Sequence, residues 1–367
     1  MTTTITKTIK STGGDYNSLT NWEIGQKANI TAAGNDTIQV AVVDGGFNSS
    51  AANLVITTGW TTDPTHYIEI RAATGQEHTG VWSTSKAYMS SNGYIITSNQ
   101  CLNVKRMQMT STGDDYTCFR LSPSAGQVQL FDGCFVVNAT TGSTYGVWRQ
   151  FSLDGTGLGT VTVQNCITIS RAGARVARLE VAGVMNIYNC TIRCSSGVCL
   201  YRSAGTFTSQ NNYLAPPGGS GCYQGVTGGT NDATSNSEAP TANLRSIPYS
   251  TATFQNVTAG SENLRLVVSA ANKLLDNGAN LTAQGVTTDV IGTSRPQGSI
   301  FDIGAFENDI PLCWNYTARY KNSNKLFKAS GCGSFPKNLK VPSNIDISTG
   351  KMIDDGILIN PDEYHIV

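Results

Sequence analysis

Apolar residues in the middle of the chain alternate with polar ones on both sides of a short polar stretch. Val161 and Val163 precede one such stretch, and Ile167 and Ile169 follow it. Alternation with a period of two is the pattern of a β-strand with one buried face, and the helical period of 3.6 residues is missing. The pattern therefore predicts two consecutive strands joined by a corner.

This strand–corner–strand pattern recurs between residues 130 and 214. In register, one shared position is occupied by Cys134, Cys166, Cys190 and Asn212. The intervals are 32, 24 and 22 residues (166 − 134, 190 − 166 and 212 − 190). A repeat of this length predicts stacked units, each too small to bury its own apolar face.

The residue before each shared position is suited to a sharp turn of the backbone. These residues are Gly133, Asn165, Asn189 and Asn211. Gly and Asn tolerate the positive φ that a left-handed corner needs. The sequence therefore predicts an all-β chain that forms a right-handed parallel β-helix, one coil per repeat.

The pattern also predicts three parts of the chain. Residues 1–35 read as an N-terminal lead-in and cap, because Thr20-Asn-Trp-Glu23 has capping-box spacing at the start of a short amphipathic helix. Residues 36–308 read as the parallel β-helix, with stacked coils to about residue 300 and Ala215–Ala239 as a loop from one of them. Residues 309–367 read as a separate C-terminal docking or cap segment.

Both ends of the predicted helix carry motifs of a known family. Gly13-Gly-Asp-Tyr-Asn-Ser-Leu19 followed by Asp36-Thr-Ile-Gln-Val resembles the opening of pectate-lyase-like β-helix proteins, and Leu274–Gly278, Thr288–Pro296 and Phe301–Glu307 resemble their terminal coil. This resemblance implies the fold, but the superfamily includes lyases, hydrolases, adhesins and phage spikes, so it does not imply one activity.

Four charged residues lie within the terminal motif: Asp289, Arg295, Asp302 and Glu307. We expect them to form a hydrogen-bonded lock on the last coil. The alternative is a catalytic pair of acids.

After Asn308, the distribution of charged residues along the sequence changes. Residues 315–340 carry six Lys or Arg and no Asp or Glu, whereas residues 341–367 carry one Lys and five acids. Two interpretations stay open: a cap folded back on the rod, or an arm that docks another subunit or virion protein. Single-stranded nucleic acid is the least favoured ligand. The predicted docking residues are Trp314, Tyr316, Arg319, Tyr320, Lys321, Lys325, Phe327 and Lys328.

Composition narrows the function classes. The chain has 25 Lys+Arg and 25 Asp+Glu, which favours neither nucleic acid nor an acidic membrane as partner. No export signal or membrane-length apolar run is recognised, so we expect synthesis in a cytoplasm and mostly reduced cysteines. Cys190, Cys194 and Cys199 lack zinc-ligand spacing, and no metal or cofactor is predicted.

Catalytic patterns are weak. Five arginines concentrate near the middle coils, where Asp154 and Glu180 are the main acids, and we interpret these arginines as solvated: Arg171, Arg175, Arg178, Arg193 and Arg202. The paired-carboxylate motifs of the hydrolase members are absent, and three His give little material for a base. Sugar binding needs only aromatic faces and a few polar groups, and the candidates are Trp82, Tyr145, Trp148 and Arg149.

A rod of this fold, without a recognised export signal and with a distinct tail, resembles the structural proteins of phage particles. We therefore expect a non-enzymatic head decoration, fibre or spike, located in the virion and forming a homotrimer, which binds host-surface glycans and is attached through the C-terminal segment. A polysaccharide depolymerase, either lyase or glycoside hydrolase, is the alternative. A leaderless adhesin is a third.

Overall fold

The computed structural model describes residues 2–308 except 50–52, 114–117, 140–145, 152–157, 172–174, 218–219, 227–228 and 270. Beyond residue 308 it describes the backbone of four strands. The chain forms two compact units, Met1–Asn308 and Asp309–Val367.

The described residues of the first unit form one α-helix, α1 (Leu19–Gln26), two short 3-10 turns (Ala242–Leu244 and Thr282–Gln284) and 24 strands. The strands are β1 (Thr3–Ile9), β2 (Thr37–Val43), β3 (Leu54–Ile56), β4 (Ile68–Ala72), β5 (Tyr88–Ser91), β6 (Ile96–Ser98), β7 (Leu102–Lys105), β8 (Gln108–Ser111), β9 (Phe119–Leu121), β10 (Val128–Asp132), β11 (Phe135–Asn138), β12 (Trp148–Gln150), β13 (Thr160–Gln164), β14 (Ile167–Ser170), β15 (Arg175–Leu179), β16 (Val184–Tyr188), β17 (Thr191–Cys194), β18 (Val198–Arg202), β19 (Thr206–Gln210), β20 (Tyr213–Ala215), β21 (Tyr223–Gln224), β22 (Ala233–Thr234), β23 (Phe254–Asn256) and β24 (Asn263–Leu266).

Three parallel sheets run side by side along this unit. The first sheet has the order β1-β2-β4-β7-β10-β13-β16-β19, the second β22-β20-β17-β14-β11-β8-β5, and the third β21-β18-β15-β12-β9-β6-β3. From β4 to β21, successive strands of the chain enter the first, second and third sheets in turn, and each strand pairs in parallel with the strand one coil away. The predicted parallel β-helix is confirmed.

The corner between the first and second sheets is built as the repeat predicts. The backbone has positive φ at Gly133 (63°), Asn165 (53°), Asn189 (48°) and Asn211 (57°), and the preceding coil has Arg106 there (54°). Asn and Gly suit this position because they tolerate the left-handed conformation better than other residues.

The residue after each corner points into the core and forms a ladder along the rod. The backbone N–H of Cys134 contacts Sγ of Cys166 at 3.4 Å, and that of Cys166 contacts Sγ of Cys190 at 3.4 Å. Farther along, the Cys190 N–H donates to Oδ1 of Asn212 at 2.8 Å, and the Asn212 N–H donates to Oδ1 of Asp232 at 2.9 Å. The shared position of Cys134, Cys166 and Cys190 is therefore a stacked interior position, and the structure adds Asp232 at its end.

Helix α1 begins two residues earlier than its capping pattern predicts. Ser18 is the N-cap, with an extended backbone and a side chain that accepts from the Asn21 N–H at 3.1 Å. Glu23 instead accepts from Nε1 of Trp60 at 3.0 Å. The helix buries Leu19 and Trp22, while β1 pairs along its length with β2 and so belongs to the first sheet.

The C-terminal part of this unit differs from the prediction. The segment 215–239, expected to be a loop, contains β21 and β22, which complete the last coils. Among the described residues, 235–308 add no strand to the three parallel sheets; they form the antiparallel hairpin β23–β24 and a series of turns. The expected terminal coil at 287–307 is therefore wrong.

Residues 235–308 instead cover the side of the coils, and we call them the side cover. Asn211 donates from Nδ2 to the Ala279 carbonyl and accepts from the Ala279 N–H, both at 2.8 Å. Asn189 donates to the Asp302 carbonyl at 2.9 Å, and the Tyr213 hydroxyl donates to the Ile247 carbonyl at 2.9 Å. The backbone of the side cover is thus held by corner and outer-face side chains of the coils.

The described residues of the second unit form a four-stranded antiparallel sheet. Its strands are β25 (Cys313–Tyr320), β26 (Leu326–Cys332), β27 (Ile345–Asp354) and β28 (Ile357–Leu358), in the order β26-β25-β27-β28.

Candidate functional site

The outer faces of the three sheets differ in what covers them. On the second sheet, Phe135 and Tyr213 are buried, because the side cover and the loop after β4 lie over this face. On the first sheet, the outer positions include half-buried polar residues such as Asn103 and Thr162. The outer face of the third sheet carries a row of arginines.

Three arginines occupy equivalent outer positions of the third sheet in successive coils. Arg149 in β12 is in register with Arg120 in β9 and with Arg178 in β15. The residues before them, Phe119, Trp148 and Ala177, are buried, so strand alternation directs the arginines outward. We call these three residues the arginine ladder; its steps are ~4.8 Å apart, which is the spacing of neighbouring strands.

One carboxylate serves two of these arginines. Nε of Arg149 lies 2.6 Å from Oε2 of Glu180, and Arg178 pairs with the other oxygen of Glu180. Burial lowers the pKa of the Arg178 guanidinium, and the Glu180 charge opposes this shift. Arg120 has no carboxylate partner within the part of the chain that the structure describes. Among the described residues, the three arginines of the ladder and Glu180 therefore carry a net positive charge.

Aromatic rings fix the arginines from below. The Arg120 guanidinium lies 4.6 Å from the ring centre of Tyr94 and 4.8 Å from that of Phe151, and Arg149 lies 4.8 Å from Phe151. One coil farther on, Arg175 lies 3.9 Å from the ring of Tyr201. These cation–π contacts hold the guanidinium groups in place.

This arrangement suits binding of negatively charged groups better than bond cleavage. Guanidinium groups recognise carboxylate and phosphate through paired hydrogen bonds. Glycoside hydrolysis needs two carboxylates flanking one bond, whereas the carboxylate of Glu180 beside the ladder is paired with both Arg149 and Arg178.

The structure separates the residues predicted to bind sugar. Arg149 belongs to the arginine ladder. Trp148 does not belong to a binding set, because its side chain is fully buried and stacks on Phe119 at 4.2 Å between ring centres. Trp82 is half-buried beside Phe135, which lies on the second sheet rather than the third. Tyr145 lies outside the described residues.

Of the five arginines interpreted as solvated, Arg202 is exposed, whereas three others have specific partners. Arg171 pairs with Glu262 at 2.8 Å, and Arg193 lies 5.0 Å from the ring centre of Tyr249, so both hold the side cover. Arg178 is 8% exposed. The solvated interpretation is wrong for Arg178 because the third sheet and its neighbours bury most of the side chain.

The four charged residues of the terminal motif form a hydrogen-bonded network, but not on a coil. Nη1 of Arg295 lies 2.7 Å from Oε2 of Glu307, and both side chains are 0% exposed. Asp289 accepts from the Glu307 N–H, and Asp302 accepts from the Asn308 N–H. Because the network lies buried within the side cover, its acids cannot reach a substrate, and the alternative of a catalytic pair is wrong.

Six of the predicted docking residues lie in β25 and β26: Trp314, Tyr316, Arg319, Tyr320, Phe327 and Lys328. Phe327 pairs with Ala318 and Lys328 with Thr317 across these strands. Lys321 and Lys325 lie outside the described residues. The role of this set in docking stays a prediction.

Sequence reasoning missed Arg120, Tyr94 and Phe151. A signal was present: Arg120, Arg149 and Arg178 are spaced by 29 residues each time (149 − 120 and 178 − 149), and each follows an apolar residue. Reading that interval as an outer-face repeat would have found the ladder.

Comparison with protein-family models, curated proteins and solved structures finds no match to this chain. Within the described residues, no helix is long and apolar enough to cross a membrane. The candidate site therefore stands on its geometry.

Proposed function

We propose that this chain is a non-enzymatic structural protein of a phage particle whose β-helix binds an acidic polysaccharide of the host surface along the third sheet. The observation that carries the binding is the arginine ladder. It places one arginine per coil at the same register position of the third sheet, with Arg120 and Arg149 half-buried over aromatic rings and Arg149 and Arg178 sharing the carboxylate of Glu180. A linear polymer with regularly spaced negative charges can contact several coils at once.

The particle assignment rests on the resemblance of the terminal motifs to β-helix proteins that include phage spikes, and on the division into a coil unit and a second unit. In this proposal the coil unit is the exposed part, a homotrimer is the assembled form, and the predicted docking residues attach the second unit to other virion proteins. The pectate-lyase-like superfamily is the proposed relationship.

Binding is tested by biolayer interferometry on immobilised acidic polysaccharides (hyaluronate, polygalacturonate and polysialic acid), with dextran as the neutral control. Arg120→Gln is the informative variant, because it leaves no described carboxylate unpaired. We expect it to weaken binding about tenfold, which corresponds to about 1.4 kcal/mol for one charge-assisted contact. Lys10→Gln, which removes an exposed pair with Asp44, is the matched control and should bind as the wild type does.

The outcomes separate the candidates. Binding to an acidic polymer that weakens with salt and with Arg120→Gln supports the proposal. Equal binding by Arg120→Gln and the wild type would overturn the role of the ladder. Shortening of the bound polymer, measured by release of reducing ends, would replace the non-enzymatic assignment with a depolymerase.

A further inference from the structure

A second candidate site lies at the corner between the first and second sheets. A groove with a volume of about 300 Å³ opens there, where β2, β4, β7 and β10 end. Its charged lining consists of Arg71, Glu77, Lys105, Arg106 and Asp132. The groove is therefore polar and built from the ends of four neighbouring strands of the first sheet.

Arg106 is unusual for its position in the coil. Its φ is 54°, at the corner where the next four coils have Gly133, Asn165, Asn189 and Asn211. A left-handed backbone costs an ordinary L-residue roughly 1–2 kcal/mol. Asn or Gly would make the folded chain more stable at this corner. The strained backbone at Arg106 therefore indicates that its side chain has a role other than stability.

Two glycines leave room for the Arg106 side chain. A Cβ at Gly292 would lie 2.5 Å from one terminal nitrogen of the guanidinium, and a Cβ at Gly133 would lie 3.3 Å from Cγ of Arg106. Gly292 also has φ of 92°. The side cover and the neighbouring coil thus hold the guanidinium at the groove.

The charges of the groove leave this guanidinium without a partner. Lys105 lies 2.7 Å and Arg71 3.4 Å from oxygens of Glu69, so these two cations share one acid. Within the part of the chain that the structure describes, the Arg106 guanidinium makes no hydrogen bond or ion pair. Asp132 accepts from Nδ2 of Asn165 at 2.9 Å. The groove therefore combines a free guanidinium with carboxyl groups that can accept from hydroxyls.

We propose that this groove binds one singly charged oxyanion group, carried on a small hydroxylated molecule, with Arg106 as the ion-pairing residue. A guanidinium fork matches a carboxylate or a phosphodiester through two parallel hydrogen bonds. The volume corresponds to the smallest class of small-molecule sites. The site is independent of the arginine ladder, so it goes beyond the proposed polymer binding.

The test is a titration followed by amide chemical shifts of the full chain, with glucuronate as the carboxylate probe, glycerophosphoglycerol as the phosphodiester probe and glucose as the neutral control. We expect one or both charged probes to bind and to shift amides of residues 71–77 and 105–106. Arg106→Asn should weaken that binding at least tenfold, whereas Arg120→Gln should leave it unchanged. Response to glucuronate alone identifies a carboxylate ligand, and response to glycerophosphoglycerol alone identifies a phosphodiester.

Stability measurements separate binding from a structural role. Because Asn is the residue of three later corners, Arg106→Asn should keep or raise the midpoint of thermal unfolding while binding is lost. Arg106→Lys keeps the positive charge but cannot donate the two parallel hydrogen bonds of a guanidinium group. Its affinity for the charged probe should therefore lie between those of the wild type and Arg106→Asn. The proposal is overturned if neither charged probe binds, if Arg106→Asn binds as well as the wild type, or if it unfolds at a lower temperature.

Discussion

At the scale of single residues, His78 and His66 lie in opposite electrostatic settings. His78 is buried, its Nε2 lies 2.8 Å from the Gly133 carbonyl, and its Nδ1 accepts from the Gly80 N–H. Burial lowers the pKa of His78 from 6.5 to about 4, and the charges of Arg106 and Glu77 act on it with opposite signs. Its hydrogen bonds identify a neutral ring protonated on Nε2.

This setting predicts how stability depends on pH. Because the folded-state pKa of His78 is below the unfolded value, its contribution is fully present above pH 6.5 and is lost as the pH falls toward 4. The loss over this window is about 3 kcal/mol. The variant His78→Gln, whose amide can also donate and accept, should not show this part of the decrease when the free energy of unfolding is measured against pH.

His66 is the matched control. Its nitrogens lie 2.6 Å from Oδ1 of Asp36 and 2.8 Å from Oδ2 of Asp63, and hydrogen bonds to Asp63 and then Asp36 raise the pKa of His66. Its contribution is present at low pH and is lost as the pH rises through the folded-state pKa. His66→Gln should therefore be most destabilising in acid, and the same sign for both variants would contradict the assignment.

At the scale of elements, the asparagine corners do two things at once. Asn211 supplies positive φ to the coil, and its side chain satisfies both backbone groups of Ala279 in the side cover. Asn189 also has positive φ, and its Nδ2 donates to the Asp302 carbonyl in the side cover. The residues that turn the coil therefore also fasten the segment that covers it.

Two substitutions at Asn211 separate these roles. Asn211→Gly keeps the positive φ but leaves the Ala279 groups unpaired, and should lower the free energy of unfolding by about 2 kcal/mol. Asn211→Ala adds the left-handed strain and should cost about 1 kcal/mol more. Urea unfolding measures both values.

The control for this pair is Asn186→Ala on the outer face of the first sheet, where the Asn186 side chain is half-buried. It should change the free energy of unfolding by about 0.5 kcal/mol or less, as is usual for surface substitutions. Equal stability of the two Asn211 variants would show that φ strain has no part at this corner.

At the scale of the whole molecule, the division at Asn308 allows a direct test of assembly. If the second unit carries the proposed docking residues, the full chain should form a trimer in solution, with three times the mass of the 38.9 kDa monomer. Removal of residues 309–367 should leave a folded monomer, since residues 1–308 form a compact unit of their own. Multi-angle light scattering measures both masses.

The outcome decides the role of the second unit. A trimer that persists after the truncation would place the contact between subunits on the first unit. A monomer in both cases would contradict the proposed homotrimer. The circular dichroism of the truncated chain is the control for folding.

The sequence alone determined the β-helix, because its causes are local. Period-two alternation predicts the strands, and Gly133, Asn165, Asn189 and Asn211 adopt the positive φ that each left-handed corner needs. Because the strand–corner–strand pattern recurs from coil to coil, the shared position of the cysteines could be aligned from the sequence alone.

Only the tertiary structure decided which residues meet on the surface. From Cys134 to Cys166 to Cys190, the shared corner position recurs after 32 and then 24 residues. The arginines of the ladder recur after 29 residues both times, because loops of different length are inserted on different sides of each coil. Corner intervals alone therefore could not align Arg120 with Arg149. The side cover has no periodicity, since side chains such as Asn211 satisfy its backbone. Trp148 and Arg149 are neighbours in sequence, but strand alternation buries one and exposes the other.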